Sequence, residues 1–121
     1  MNKITKDQAF ELLDQAVIKL GADNEYKRGG SQLSGPSCVY VRNGEASCIV
    51  ATALAIAGVP VEVMAEWDKE TDSTILSVFE NGNAPALLTR EAAEVFQTAQ
   101  MYQDTEYTFG RSVELARAEH Q

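Results

Sequence analysis

The chain has 121 residues, a formal net charge of −8, 45% apolar residues, two Cys and one His. This length suits one domain over residues 1–121, and the apolar fraction is that of a globular protein rather than a disordered one. The negative balance weighs against gripping nucleic-acid phosphates, which takes clustered Lys and Arg, and a single His excludes His-rich metal sites.

The opening stretch MNKITKDQAF has no apolar h-region and does not read as a secretion signal. The longest apolar run, Cys48 to Val59, is broken only by Thr52 and Gly58 and is too short for the ~20 residues that span a bilayer. These features predict a cytoplasmic protein with no membrane segment. In that setting two cysteines read as thiols rather than a disulfide.

The first predicted element is a helix over 5–20. Thr5-Lys6-Asp7-Gln8 has the form of a capping box with Ile4 as the staple residue, and Ala9, Phe10, Leu13, Ala16, Val17 and Leu20 recur at helical period up to Gly21. Residues 22–37 lack periodicity, contain Gly29, Gly30, Gly35 and Pro36, and read as a long loop. Cys38-Val39-Tyr40-Val41-Arg42 reads as a strand and Asn43-Gly44 as a hairpin turn. Ser47 is placed to cap a helix over 48–57, which is apolar nearly all round and therefore expected to be the buried centre.

Pro60 suits the first turn of a further helix, over 60–69, with Val61, Met64 and Trp67 on one face. Residues 73–79 fit either a helical turn or a strand, and 81–85 a loop. Thr89 is placed to cap a helix to Gln103 whose stripe is Ala92, Val95, Phe96, Ala99 and Tyr102. Thr108 is placed to cap a last helix to Glu119, with Phe109, Val113 and Ala116 inward. The expected architecture is mainly α (α+β): a bundle of about four to five helices around the buried helix 48–57, with one small β-hairpin or strand over 38–46.

Charge is unevenly placed. Residues 45–106 carry eleven acids against Lys69 and Arg90, a net −9, while residues 1–44 sum to +1 and residues 107–121 to zero. The acids are densest at Glu62, Glu66, Asp68, Glu70 and Asp72.

Three segments carry a pattern. Cys38-Val39-Tyr40-Val41 precedes Gly44, Ser47-Cys48-Ile49-Val50 opens a helix that ends in Gly58-Val59, and Ala99-Gln100-x-x-Gln103-Asp104 precedes Tyr107-Thr108-Phe109-Gly110. Over about residues 38–60 and 99–110 the chain resembles a group of small, functionally uncharacterised proteins of actinobacterial phages and their hosts. The resemblance implies a setting rather than a mechanism. Many members have Gly-His after S-C-[IL]-V, where this chain has Ala51-Thr52.

Candidate chemistry is sparse. Cys48 in the first turn of a helix would feel the positive end of the helix dipole, which favours a thiolate. Nucleophilic chemistry also needs a base, and the one His, His120, is next to last in the sequence. A buried structural Cys48 is the competing reading. Glu62 with Glu66, and Glu91 with Glu94, share helix faces, but no metal motif accompanies them and no metal or cofactor is expected. Lys27-Arg28-Gly29-Gly30 offers two cations and flexible backbone donors to an anionic ligand. Tyr102, Tyr107 and Phe109, with Gln100, Gln103 and Asp104, either line a small pocket or close the helical hairpin.

The sequence thus predicts a small acidic, non-enzymatic interaction protein. Its partner would be a host protein with a basic surface, met by Glu62, Glu66, Trp67, Asp68, Glu70 and Asp72, with Trp67 either in the contact or in the core. A module binding an anionic small molecule is the alternative, and a Cys48 enzyme the third. A homodimer is a further option, since it would help to cover helix 48–57.

Overall fold

The computed structural model describes residues 4–24, 40–42, 44–67, 75–80, 88–105 and 107–120. The described elements are α1 (Lys6–Leu20), β1 (Val41–Arg42), β2 (Glu45–Ala46), α2 (Ile49–Ile56), α3 (Val61–Trp67), α4 (Ile75–Glu80), α5 (Arg90–Asp104) and α6 (Phe109–His120). The fold is mainly helical, with one two-stranded antiparallel hairpin in the register Val41↔Ala46 and Arg42↔Glu45.

The capping box forms at α1: Thr5 Oγ1 accepts from Gln8 N, and Gln8 Oε1 accepts from Thr5 N at 2.9 Å. Just before it, the Ile4 carbonyl accepts from both the backbone N and the hydroxyl of Thr89, the N-cap of α5. The starts of α1 and α5 are therefore tied side by side. α6 runs back along α1. Near its start, Phe109 N and Gly110 N donate to the carbonyls of Asn24 and Ala22, and at its end the His120 carbonyl accepts from Lys6 Nζ at 2.8 Å. Arg117 reinforces the α1–α6 seam, pairing with Asp14 at 2.8 Å and lying over the Phe10 ring.

α2 is the centre. Ile49, Val50, Ala51, Thr52, Ala53 and Leu54 are all buried, beneath α1 on one side and α5 on another. The chain itself covers this helix, so a second copy is not needed for that purpose.

Two expectations are corrected and one open reading is settled. The N-cap of α2 is Cys48, not Ser47: Cys48 Sγ accepts from Ala51 N at 3.4 Å. Ser47 is committed to the hairpin, where its N–H donates to the Tyr40 carbonyl at 2.8 Å, and this delays the helix by one residue. Tyr40 is not in the strand but buried beside it, edge-on to Trp67 with ring centroids 5.4 Å apart. The ambiguous 73–79 region holds a helix, α4, which buries Ile75 and Val78 at i,i+3 spacing. Its first backbone donor, Ile75 N, finds a partner in Gln100 Oε1 at 2.9 Å.

Candidate functional site

α2 ends in a Schellman motif. Val59 N donates to the Leu54 carbonyl, Gly58 N to that of Ala55, and Gly58 takes φ +104°. The motif turns the chain sharply into α3 and leaves an open groove of about 500 Å³ against α1. One wall is the helix face formed by Gln8, Glu11, Leu12 and Gln15, spaced i, i+3, i+4 and i+7, with Ile4 at its start. The other wall is the turn through Val59 and Pro60, together with Val63 of α3.

The groove is mostly apolar with polar edges. Among the described residues that line it, Glu11 carries the only charge. Val63 is 39% exposed, and Ile18, one turn beyond Gln15 on the same side of α1, is 82% exposed. On α3, Val63 lies between Glu62 and Met64. Glu62 and Glu66 face solvent, while Met64 and Trp67 are buried.

Of the predicted acidic face, Glu62 and Glu66 are outward, and Asp68, Glu70 and Asp72 lie outside the described residues. Of the two readings of Trp67 the core one holds and its place among the contact residues is corrected: it is 3% exposed and packs edge-on against Tyr40. Lys27, Arg28, Gly29 and Gly30 also lie outside the described residues, as does Cys38. The groove itself carries an acid and suits no anion.

Cys48 is fully buried, with its sulfur in the α2 cap, so the reading of an accessible reactive thiol is corrected. His120 is not frayed; it ends α6, and its Nε2 lies 2.7 Å from Thr98 Oγ1 on α5. Among the described residues, no group of three or more His, Cys, Asp or Glu is placed to hold a metal ion. No helix among them is long and apolar enough to cross a membrane.

The aromatic and amide cluster near the last turn serves two ends. Tyr102 and Tyr107 stack edge-to-face at 5.3 Å and close the α5–α6 hairpin, and Tyr102 donates its hydroxyl proton to Glu119. That hydrogen bond, partial desolvation and the Glu119 charge raise the Tyr102 phenol above its ordinary value. Gln100 and Gln103, by contrast, point into the core. Gln100 bonds Ile75 N and the Tyr40 hydroxyl, and Gln103 bonds Ile49 N and Asp104.

The sequence reading missed the groove, because its α1 face has the composition of a solvated surface. The exposed Ile18 on that surface was the one available signal. No protein-family model, curated protein or solved structure matches the chain.

Proposed function

We propose that this protein is a non-enzymatic interaction module that binds a basic surface of another protein through the outer side of α3 and the acidic segment that follows it. The observation supporting this reading is the division of α3. Met64 and Trp67 anchor the helix in the core while Glu62 and Glu66 stand in solvent, within the stretch of net charge −9. A rigidly anchored helix presents its acids at little ordering cost, and like-signed charges steer a basic partner into encounter. Several arginines are engaged elsewhere: Arg90 with Glu94, Arg111 with Glu114 and Arg117 with Asp14.

With the phage-type resemblance, the reading becomes an accessory protein that acts on a host factor in the host cytoplasm. The test is affinity capture from host lysate across a salt series. It compares wild type with a variant carrying Glu62→Gln, Glu66→Gln, Asp68→Asn, Glu70→Gln and Asp72→Asn. A partner held by wild type at low salt, released as salt rises and lost by the variant is the expected result. Equal capture by the two proteins would overturn the reading.

A further inference from the structure

We propose that the groove between α1 and the α2–α3 turn is a docking site for a basic amphipathic α-helix, whose apolar side chains enter between Leu12 and Val63 while its cations meet Glu11 and Glu62. The proposal deepens the acidic-face reading and rests on it only for the sign of the partner's charge.

Three features select this occupant. The groove volume, about 500 Å³, is in the ~300–1,000 Å³ range of sites that bury a small ligand, and so it admits several aliphatic side chains. Its α1 wall from Gln8 to Gln15 spans two helical turns, about 10 Å at ~1.5 Å per residue, which matches anchors at i, i+3 or i+4, and i+7 of an incoming helix. Its charge is of one sign: Glu11 is inside the lining, and Glu62 and Glu66 are exposed on the helix that supplies Val63. The walls described here are side chains of helices and a capped turn, with no strand edge among them, so an extended peptide has no ladder to join. Beyond Gln15 the next turn of α1 carries Ile18, 82% exposed, beside the exposed cation Lys19, so the site suits a basic helix of about two turns.

The probe is a fluorescein-labelled Leu/Lys peptide with leucines at i, i+3, i+4 and i+7, followed by anisotropy at low salt. Two controls have the same periodicity, one with Glu in place of Lys and one with Ser in place of Leu. The protein variants are Glu11→Lys, Val63→Gln and the charge control Glu114→Lys on α6, all at exposed positions and each checked for an unchanged melt. The expected result is saturable binding of the Leu/Lys peptide alone. Glu11→Lys and Val63→Gln should each weaken it about tenfold, equivalent to ~1.4 kcal/mol, while Glu114→Lys changes it less than about twofold.

No binding of the Leu/Lys peptide, or equal binding of the Leu/Glu peptide, would overturn the proposal. So would equal effects of Glu11→Lys and Glu114→Lys, which would signal bulk charge attraction. The two readings fail separately. If the neutralised α3 variant loses the lysate partner while Glu11→Lys and Val63→Gln keep it, the groove proposal falls and the acidic-face reading stands. If the groove variants lose the peptide while the neutralised variant keeps its lysate partner, the reverse holds.

Discussion

The side-chain oxygen of Gln103 accepts the backbone N–H of Ile49 across 2.7 Å of buried interior, 54 residues away in sequence. Ile49 opens the central helix, so one of its unsatisfied N-terminal donors is capped from α5 rather than locally. Gln100, one turn earlier on α5, does the same for Ile75 at the start of α4. The two amides make α5 the post on which the starts of α2 and α4 are hung.

Removing that acceptor should be costly. Gln103→Leu leaves the Ile49 N–H buried without its partner and is expected to destabilise the fold by about 1–3 kcal/mol. Denaturant titration checks this. Amide exchange at Ile49, which should be slow in wild type, reports the site directly. A midpoint unchanged from wild type would contradict the capping role.

Thr52 presents the opposite case. It is 2% exposed, and among the described residues its hydroxyl has no hydrogen-bond partner. Thr52→Val keeps the branched shape and removes the desolvated hydroxyl, so a gain on the order of 1 kcal/mol is expected. A loss of stability on the same titration would show that the hydroxyl is satisfied in solution.

The turn that shapes the groove depends on Gly58. An added Cβ meets nothing within 4 Å, so Gly58→Ala isolates the backbone strain of φ +104°. The expected cost is ~1–2 kcal/mol. Gly110→Ala fails by a different route. Its Cβ would lie 3.1 Å from the carbonyl oxygen of Ala22, which the Gly110 N–H already holds. Thermal melts of both variants should fall, and only Gly58→Ala should also weaken peptide binding in the groove.

The Tyr102–Glu119 contact sets an alkaline limit. The phenol is raised in the folded state, so its contribution is fully present below the ordinary value near 10 and is lost as pH climbs through the raised value. Absorbance titration of the phenolate, compared with that of Tyr102→Phe, should show a transition above the ordinary value that the variant lacks. Glu119→Ala should return it to the ordinary range. A wild-type Tyr102 that ionises normally would refute the contact.

Cys48 should resist alkylation. In a Cys38→Ser background the native protein is expected to react with iodoacetamide only as fast as it opens, because the sulfur is fully buried in a helix cap. Reaction at the rate of an exposed thiol would restore the reactive-cysteine reading. Cys48→Ala should cost about 1 kcal/mol, in line with the loss of a cap.

Much of this could be read from local chemistry. The Thr5–Gln8 box, the Thr89 and Thr108 caps, the buried run of α2 and the inward placement of Met64 and Trp67 all follow from spacing within a single helix. Ser47 and Tyr40 were misplaced because their roles are settled by a cross-strand bond, Ser47 N to the Tyr40 carbonyl, rather than by their own propensity. Gln100 and Gln103 read as lining a small pocket or closing the helical hairpin near the last turn. Their burial depends on which helix starts α5 meets.

The sequence by itself determined the helices, their caps, the apolar centre and the location of the acids, because each rests on neighbours within about a turn. Only the tertiary structure decided that α5 caps α2 and α4, and that Glu11, Leu12 and Val63 share one groove. Those relations join residues far apart in the chain. They exist only once the Schellman turn at Gly58 and the antiparallel return of α6 along α1 have set the helices against one another.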